Sequence, residues 1–167
     1  MTTLPLAVRL NNPGCIDRVK GVRWQGQAET QTHRRLVTYK GPEWGIRAMA
    51  RVLITYQDKR RARDGSKIDT IREIIERWAP AVENDTGVYI GHVSKLTGIG
   101  ADETIDVYRY EAMRPLVEAI IAHECAGYRY PEAVINEGLR LAGIKVPLAP
   151  LEKSRTIGAG KVASSGA

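Results

Sequence analysis

The chain has 167 residues, of which 43% are hydrophobic and 26% charged, with a net charge of +6 and a pI near 9.5. That length suits one compact domain, and the apolar share excludes a disordered chain. No run approaches the roughly 20 apolar residues that a membrane-spanning helix needs, and the opening MTTLPLAVRL lacks the basic-then-apolar order of a signal peptide. The basic balance points to an anionic partner: nucleic acid, lipid headgroups or an anionic cell wall. Two cysteines, Cys15 and Cys125, and three histidines make neither a disulfide framework nor a zinc cluster, so two buried free thiols are expected.

In chain order, Asn11-Asn12-Pro13-Gly14 is a turn signal whose tandem amides also suit sugar hydroxyls. Val22-Arg23-Trp24 and Leu36-Val37-Thr38-Tyr39 are short runs that together predict a hairpin. Pro42 suits the first turn of a helix in which Trp44, Met49, Leu53 and Tyr56 recur at helical spacing. The run Lys59-Arg60-Arg61-Ala62-Arg63 reads as a solvated helix end or as a phosphate-binding patch, and Asp64-Gly65-Ser66 predicts a loop after it.

Thr70-Ile71-Arg72-Glu73 has the form of a capping box opening a helix with Ile71, Ile74, Ile75 and Trp78, which Pro80 stops. A further helix starts near Asp85 or Thr86, carries Tyr89, Val93 and Leu96, and ends at Gly98. The most apolar helix holds Leu116, Val117, Ile120 and Ile121, is opened or kinked by Pro115, and closes around Cys125 to Gly127. A last one runs from Pro131 through Val134, Ile135, Leu139 and Leu141 to Gly143. The fold class is therefore all-α: one helical domain over 1–147, then a Gly-, Ser- and Ala-rich tail over 148–167 that reads as a flexible linker.

Glu124 stands out. Ile121, Ile120 and Val117 lie three, four and seven residues before it, so a carboxyl group continues an apolar stripe. Burial and the negative end of the helix dipole both favour its neutral form, as a general acid requires. Spacing alone leaves open a structural glutamate that caps the turn or pairs with an arginine. His123-Glu124 begins like a zinc-peptidase helix, but no histidine follows four residues later. Glu83-Asn84-Asp85-Thr86 supplies a helix cap or, with Tyr89, a carboxylate, an amide and a hydroxyl for chemistry; glycoside hydrolysis commonly uses two carboxylates. Trp24, Trp44 and Trp78 read as core residues or sugar platforms, with core the default for the two in helices.

These pieces occur in one order: Arg9 to Ile16, Trp24-Gln25-Gly26, Pro42 to Met49, Trp78-Ala79-Pro80 with Glu83 to Thr86, and His123-Glu124. In that order, over about Arg9 to Gly143, they resemble a family of phage and prophage proteins, some labelled virion structural proteins. The family looks like endolysins whose helical catalytic domain is related to the α-lobe of the lysozyme fold. The likeness extends to glycoside hydrolase families 23 and 73, which carry a catalytic Glu at a helix end, here Glu124. In family 73 an Asn- and Gly-containing turn and a Trp-x-Gly follow that Glu. In this chain both lie at the other end, so the elements are permuted. Glu83 to Tyr89 looks like that family's stretch leading to a cleft tyrosine. Cys15 and Cys125 stand where asparagine is expected, which puts in doubt any orienting role of an amide beside the acid.

The resemblance implies a peptidoglycan-cleaving enzyme with Glu124, Glu83 and Tyr89 as catalytic residues. It implies Asn11, Asn12, Asn84, Asp85, Thr86, His123 and Tyr128 as substrate contacts. It further implies no metal or organic cofactor, no specific nucleic acid partner, a monomer, and action on the wall in the periplasm after synthesis in the host cytoplasm. In similar proteins a tail like this one precedes a membrane segment, so a membrane anchor is expected only beyond the sequence given. Rival expectations are a transglycosylase outcome on the same bond, an amidase or peptidase, and a non-enzymatic virion or DNA-binding protein. The amidase would need zinc ligands or a Cys–His pair, and Cys125 and His123, two apart on a helix, point in different directions.

Overall fold

The computed structural model describes residues 3–82 and 84–148. Six helices follow in order: α1 (Leu6–Arg9), α2 (Pro42–Lys59), α3 (Ile71–Trp78), α4 (Thr86–Thr97), α5 (Tyr110–Glu124) and α6 (Glu132–Leu141). No strand longer than an isolated bridge occurs among the described residues, so the chain is all-α. The expected Gly-, Ser- and Ala-rich tail lies, beyond Leu148, outside the described residues.

The helix ends follow local chemistry. Pro42 opens α2 in its first turn, where its missing N–H costs nothing. The Thr70 hydroxyl accepts the Glu73 N–H, while the Glu73 carboxylate turns back to accept the Asp69 N–H and the Thr70 hydroxyl. Asp85 accepts the Val88 N–H to start α4, and Gly98 ends it in the left-handed region at φ 74°. Pro115 does not open α5 but lies inside it, where its ring removes the donor that would bond the turn before.

α5 is the centre of the core. Met113, Leu116, Val117, Ile120 and Ile121 are all essentially inaccessible, and burying each side chain of this size stabilises by about 1.5–3 kcal/mol. α4 packs on α5 and α3 on α4. α2 packs on α6, and the two backbones meet at Gly138, where a Cβ would stand 2.5 Å from Ile46 and 2.9 Å from the Glu43 carbonyl.

Before α2 the chain is irregular and held by polar side chains. Asn12, 0% exposed, donates to the Ile16 and Val37 carbonyls and accepts the Ile16 N–H. That bracket aligns the stretch around Leu36 with Asp17, and further along Tyr39 bridges to Gln27. The expected hairpin is thereby corrected: Leu36 to Tyr39 are flanked by residues near 17 and near 27, not by Val22 to Trp24. The segment lies flat on α2, where a Cβ on Gly45 would come within 2.1 Å of the Asn11 carbonyl.

Candidate active site

Glu124 is the last residue of α5, half-buried at the end of the Val117, Ile120 and Ile121 stripe. Two successive left-handed residues, Ala126 at φ 53° and Gly127 at φ 86°, then turn the chain away from the helix axis. Ala126 has no glycine freedom at that angle, so local strain accompanies the turn beside the acid.

From α4, the Tyr89 hydroxyl donates to Glu124 Oε2 at 2.7 Å. Tyr89 is 2% exposed, so it is a buried pin for the carboxyl group rather than an open cleft wall. Burial and then the charge and hydrogen bond of Glu124 hold its phenol well above the ordinary range, so it stays a donor. Trp78 reaches the same hydroxyl, and its ring lies against Gly14, where a Cβ would meet it at 3.1 Å.

The turn predicted at Asn11 to Gly14 arrives at this helix end. Cys15, at φ 52°, sets its thiol beside Glu124. Cys125 Sγ bonds the Pro13 carbonyl at 3.5 Å, a contact between positions 112 residues apart. Both cysteines are free; Cys125 is buried and Cys15 half-buried. Burial, then the neighbouring Glu124, pushes Cys15 up to about 12 and Cys125 up to about 11, so neither is a poised nucleophile.

His123 stacks on Tyr89 with centroids 3.6 Å apart and rings 20° from parallel. Its Nδ1 lies 2.9 Å from Nδ1 of His92, so one ring donates and the other accepts. Burial and then the His92 ring lower the His123 pKa below 6.5, keeping it neutral at pH 7. Both histidines, with Tyr128, Arg129, Tyr130 and Glu118, line a cavity of about 580 Å³ on this side of α5. The Tyr130 ring lines the cavity, while its hydroxyl is enclosed without a partner.

The structure thus brings together Glu124, Tyr89, His123 and Tyr128. It assigns others to scaffold. The Asn12 amide is fully enclosed, and Asn11 donates to the Tyr39 carbonyl. Asn12 is therefore not the open sugar contact expected for it, because the backbone it brackets encloses it, whereas Asn11 is half-buried and spends one N–H on that backbone. Asn84 donates to the Pro80 carbonyl, Thr86 donates to the Ala79 carbonyl at 2.7 Å, and Asp85 caps α4. Those bonds tie the end of α3 to the start of α4 and so aim Tyr89. Glu83 lies outside the described residues. Sequence reasoning singled out Cys15 without placing it at Glu124, and it missed Tyr130, which no local pattern marks. It also missed His92, although the spacing from Tyr89 to His92 puts both on one face of α4.

Comparison with known proteins finds no family model that matches the chain. The chain is similar to "Protein P5" of Pseudoalteromonas phage PM2, 35% identical over 133 residues that make up 78% of each protein.

Proposed function

The chain belongs to the family of the phage protein P5, and on that premise we propose that it is an endolysin-type glycosidase acting on bacterial peptidoglycan. The observation that carries this reading is Glu124 at the end of the apolar stripe of α5, with Oε2 pinned by the buried Tyr89 hydroxyl. The pin fixes the orientation of the carboxyl group through one of its oxygens. Glu124 protonates the oxygen bridging N-acetylmuramic acid and N-acetylglucosamine while positive charge develops on the muramic sugar.

Two courses complete the reaction. Water activated by a second carboxylate, Glu83 or Asp85, gives hydrolysis. Attack by the sugar's own hydroxyl gives an anhydro product, as in lytic transglycosylases. Asp85 spends Oδ1 on the α4 cap, which favours the second course. His123 and Tyr128, on the cavity beside Glu124, supply contacts to the glycan. On this reading the protein works as a monomer on the periplasmic wall.

Mass spectrometry of muropeptides released from purified Gram-negative sacculi tests the proposal. Reducing-end products made by wild type and not by Glu124→Gln indicate hydrolysis, and anhydro-muropeptides made on the same terms indicate the transglycosylase course. Products that are stem peptides cut from intact glycan would overturn it in favour of an amidase or peptidase.

A further inference from the structure

A cavity of about 1080 Å³ is bounded by α2, α3 and two connecting segments. α2 contributes Arg47 and Arg51, and α3 contributes Arg77. The link after α2 adds Arg60, Arg61 and Arg63, and Arg23 arrives from the segment before it. Against these seven cations stand two carboxylates, Glu73 and Glu76, and Glu73 is already engaged in starting α3.

None of the seven makes an ion pair among the described residues, whereas Arg35, Arg72, Arg109, Arg114 and Arg140 all do. Arg51 donates only to the Ala142 carbonyl, Arg60 to the Lys59 carbonyl, and Arg77 lies over the Tyr56 ring. Arg47 is half-buried, its Nε has no partner, and burial together with the nearby Arg51 cation lowers its pKa. Like charges gathered with little counter-charge repel, and a bound anion relieves that repulsion. The guanidinium fork accepts phosphate oxygens in pairs, so arginine rather than lysine throughout favours phosphate. A recessed groove suits an extended strand better than a flat bilayer, whose headgroups would reach the rim but not Arg47 and Arg51.

We propose that this arginine groove is a second binding site that holds the phosphate backbone of a single-stranded nucleic acid, without reading its bases. Phosphates lie along Arg60, Arg61 and Arg63 and descend to Arg47. The groove shares no lining residue with the cavity that His92 and His123 line beside Glu124, so the two functions separate.

The test is fluorescence anisotropy of a labelled mixed-sequence 20-nucleotide single strand, titrated with the full chain over a range of salt. Wild type binds, with affinity falling as salt rises. The exposed triple variant Arg60→Ala/Arg61→Ala/Arg63→Ala loses tenfold or more in affinity, and the slope of log affinity against log salt shrinks by about 2 for three lost contacts. The control Arg72→Ala/Arg109→Ala/Arg140→Ala, of ion-paired exposed arginines, and Glu124→Gln both bind like wild type. No binding at low salt, or equal losses in both triples, would overturn the groove. Binding of phosphatidylglycerol vesicles that depends on the same three arginines, with none of the oligonucleotide, would overturn it in favour of a membrane surface.

Discussion

The helices from α2 to α6 and the segment before α2 are stabilised by different means. α5 buries Met113, Leu116, Val117, Ile120 and Ile121 and is held by area removed from water, which no single atom controls. The segment from Leu10 to Gly41 has little regular structure, and one enclosed amide, Asn12, fixes its register through three hydrogen bonds. The candidate site lies on the seam between them, with Glu124 and Tyr89 from the first region and Cys15 from the second. An acid at such a seam takes its position from the helices and one wall of its surroundings from the loop, so damage to either region reaches it by a different route.

The largest stability effect is expected where polar groups are concentrated. Asn12→Ala leaves the Val37 carbonyl and the Ile16 N–H without partners, while the Ile16 carbonyl keeps the Val37 N–H, and lowers stability by about 3 kcal/mol. Denaturant melts would read this as a lower midpoint. A loss as small as the one at a helix cap would break the distinction between the regions. Tyr89→Phe removes the donor on Glu124 Oε2 and leaves the ring packing intact, so activity falls by roughly tenfold to a hundredfold, the worth of one hydrogen bond to a charged group. Rates of turbidity loss at matched folded concentration measure it, and an unchanged rate would remove Tyr89 from the site.

At the other end, Thr70→Ala deletes one solvent-side cap of α3 and costs about 1 kcal/mol, readable in the same melts. The smallest effect concerns pH. His123 has a lowered pKa in the folded protein, so its contribution to stability is fully present above 6.5 and is lost as the pH falls through its depressed folded value. Thermal midpoints should therefore drop below pH 6.5, and His123→Gln should flatten that part of the profile. An identical slope in the variant would assign the loss to other groups.

The helical region was legible where its ends are written locally: Pro42 at a start, Thr70 with Glu73 at another, Gly98 and Gly143 at stops; the start of α5 at Tyr110 carries no such signal. The place of Glu124 at the end of the stripe was legible for the same reason, since a carboxylate breaking an apolar period is visible within one helix. The hairpin was misassigned because its partners were chosen by Asn12, whose two acceptors, Ile16 and Val37, are far apart in sequence. Asn11 and Asn12 looked like sugar ligands because a free amide and a bracketing amide have one spelling. Cys15 at Glu124, and the meeting of Arg23 and Arg77 with the run after α2, arise only when distant segments pack.

The most direct test of the central claim pairs two readings on Glu124→Gln: the clearing rate of outer-membrane-stripped Gram-negative cells, and the thermal midpoint. The amide keeps the shape and an oxygen for Tyr89 but holds no transferable proton. The account predicts clearing reduced about a hundredfold or more with a midpoint close to that of wild type. Clearing at the wild-type rate by a folded Glu124→Gln protein would contradict it.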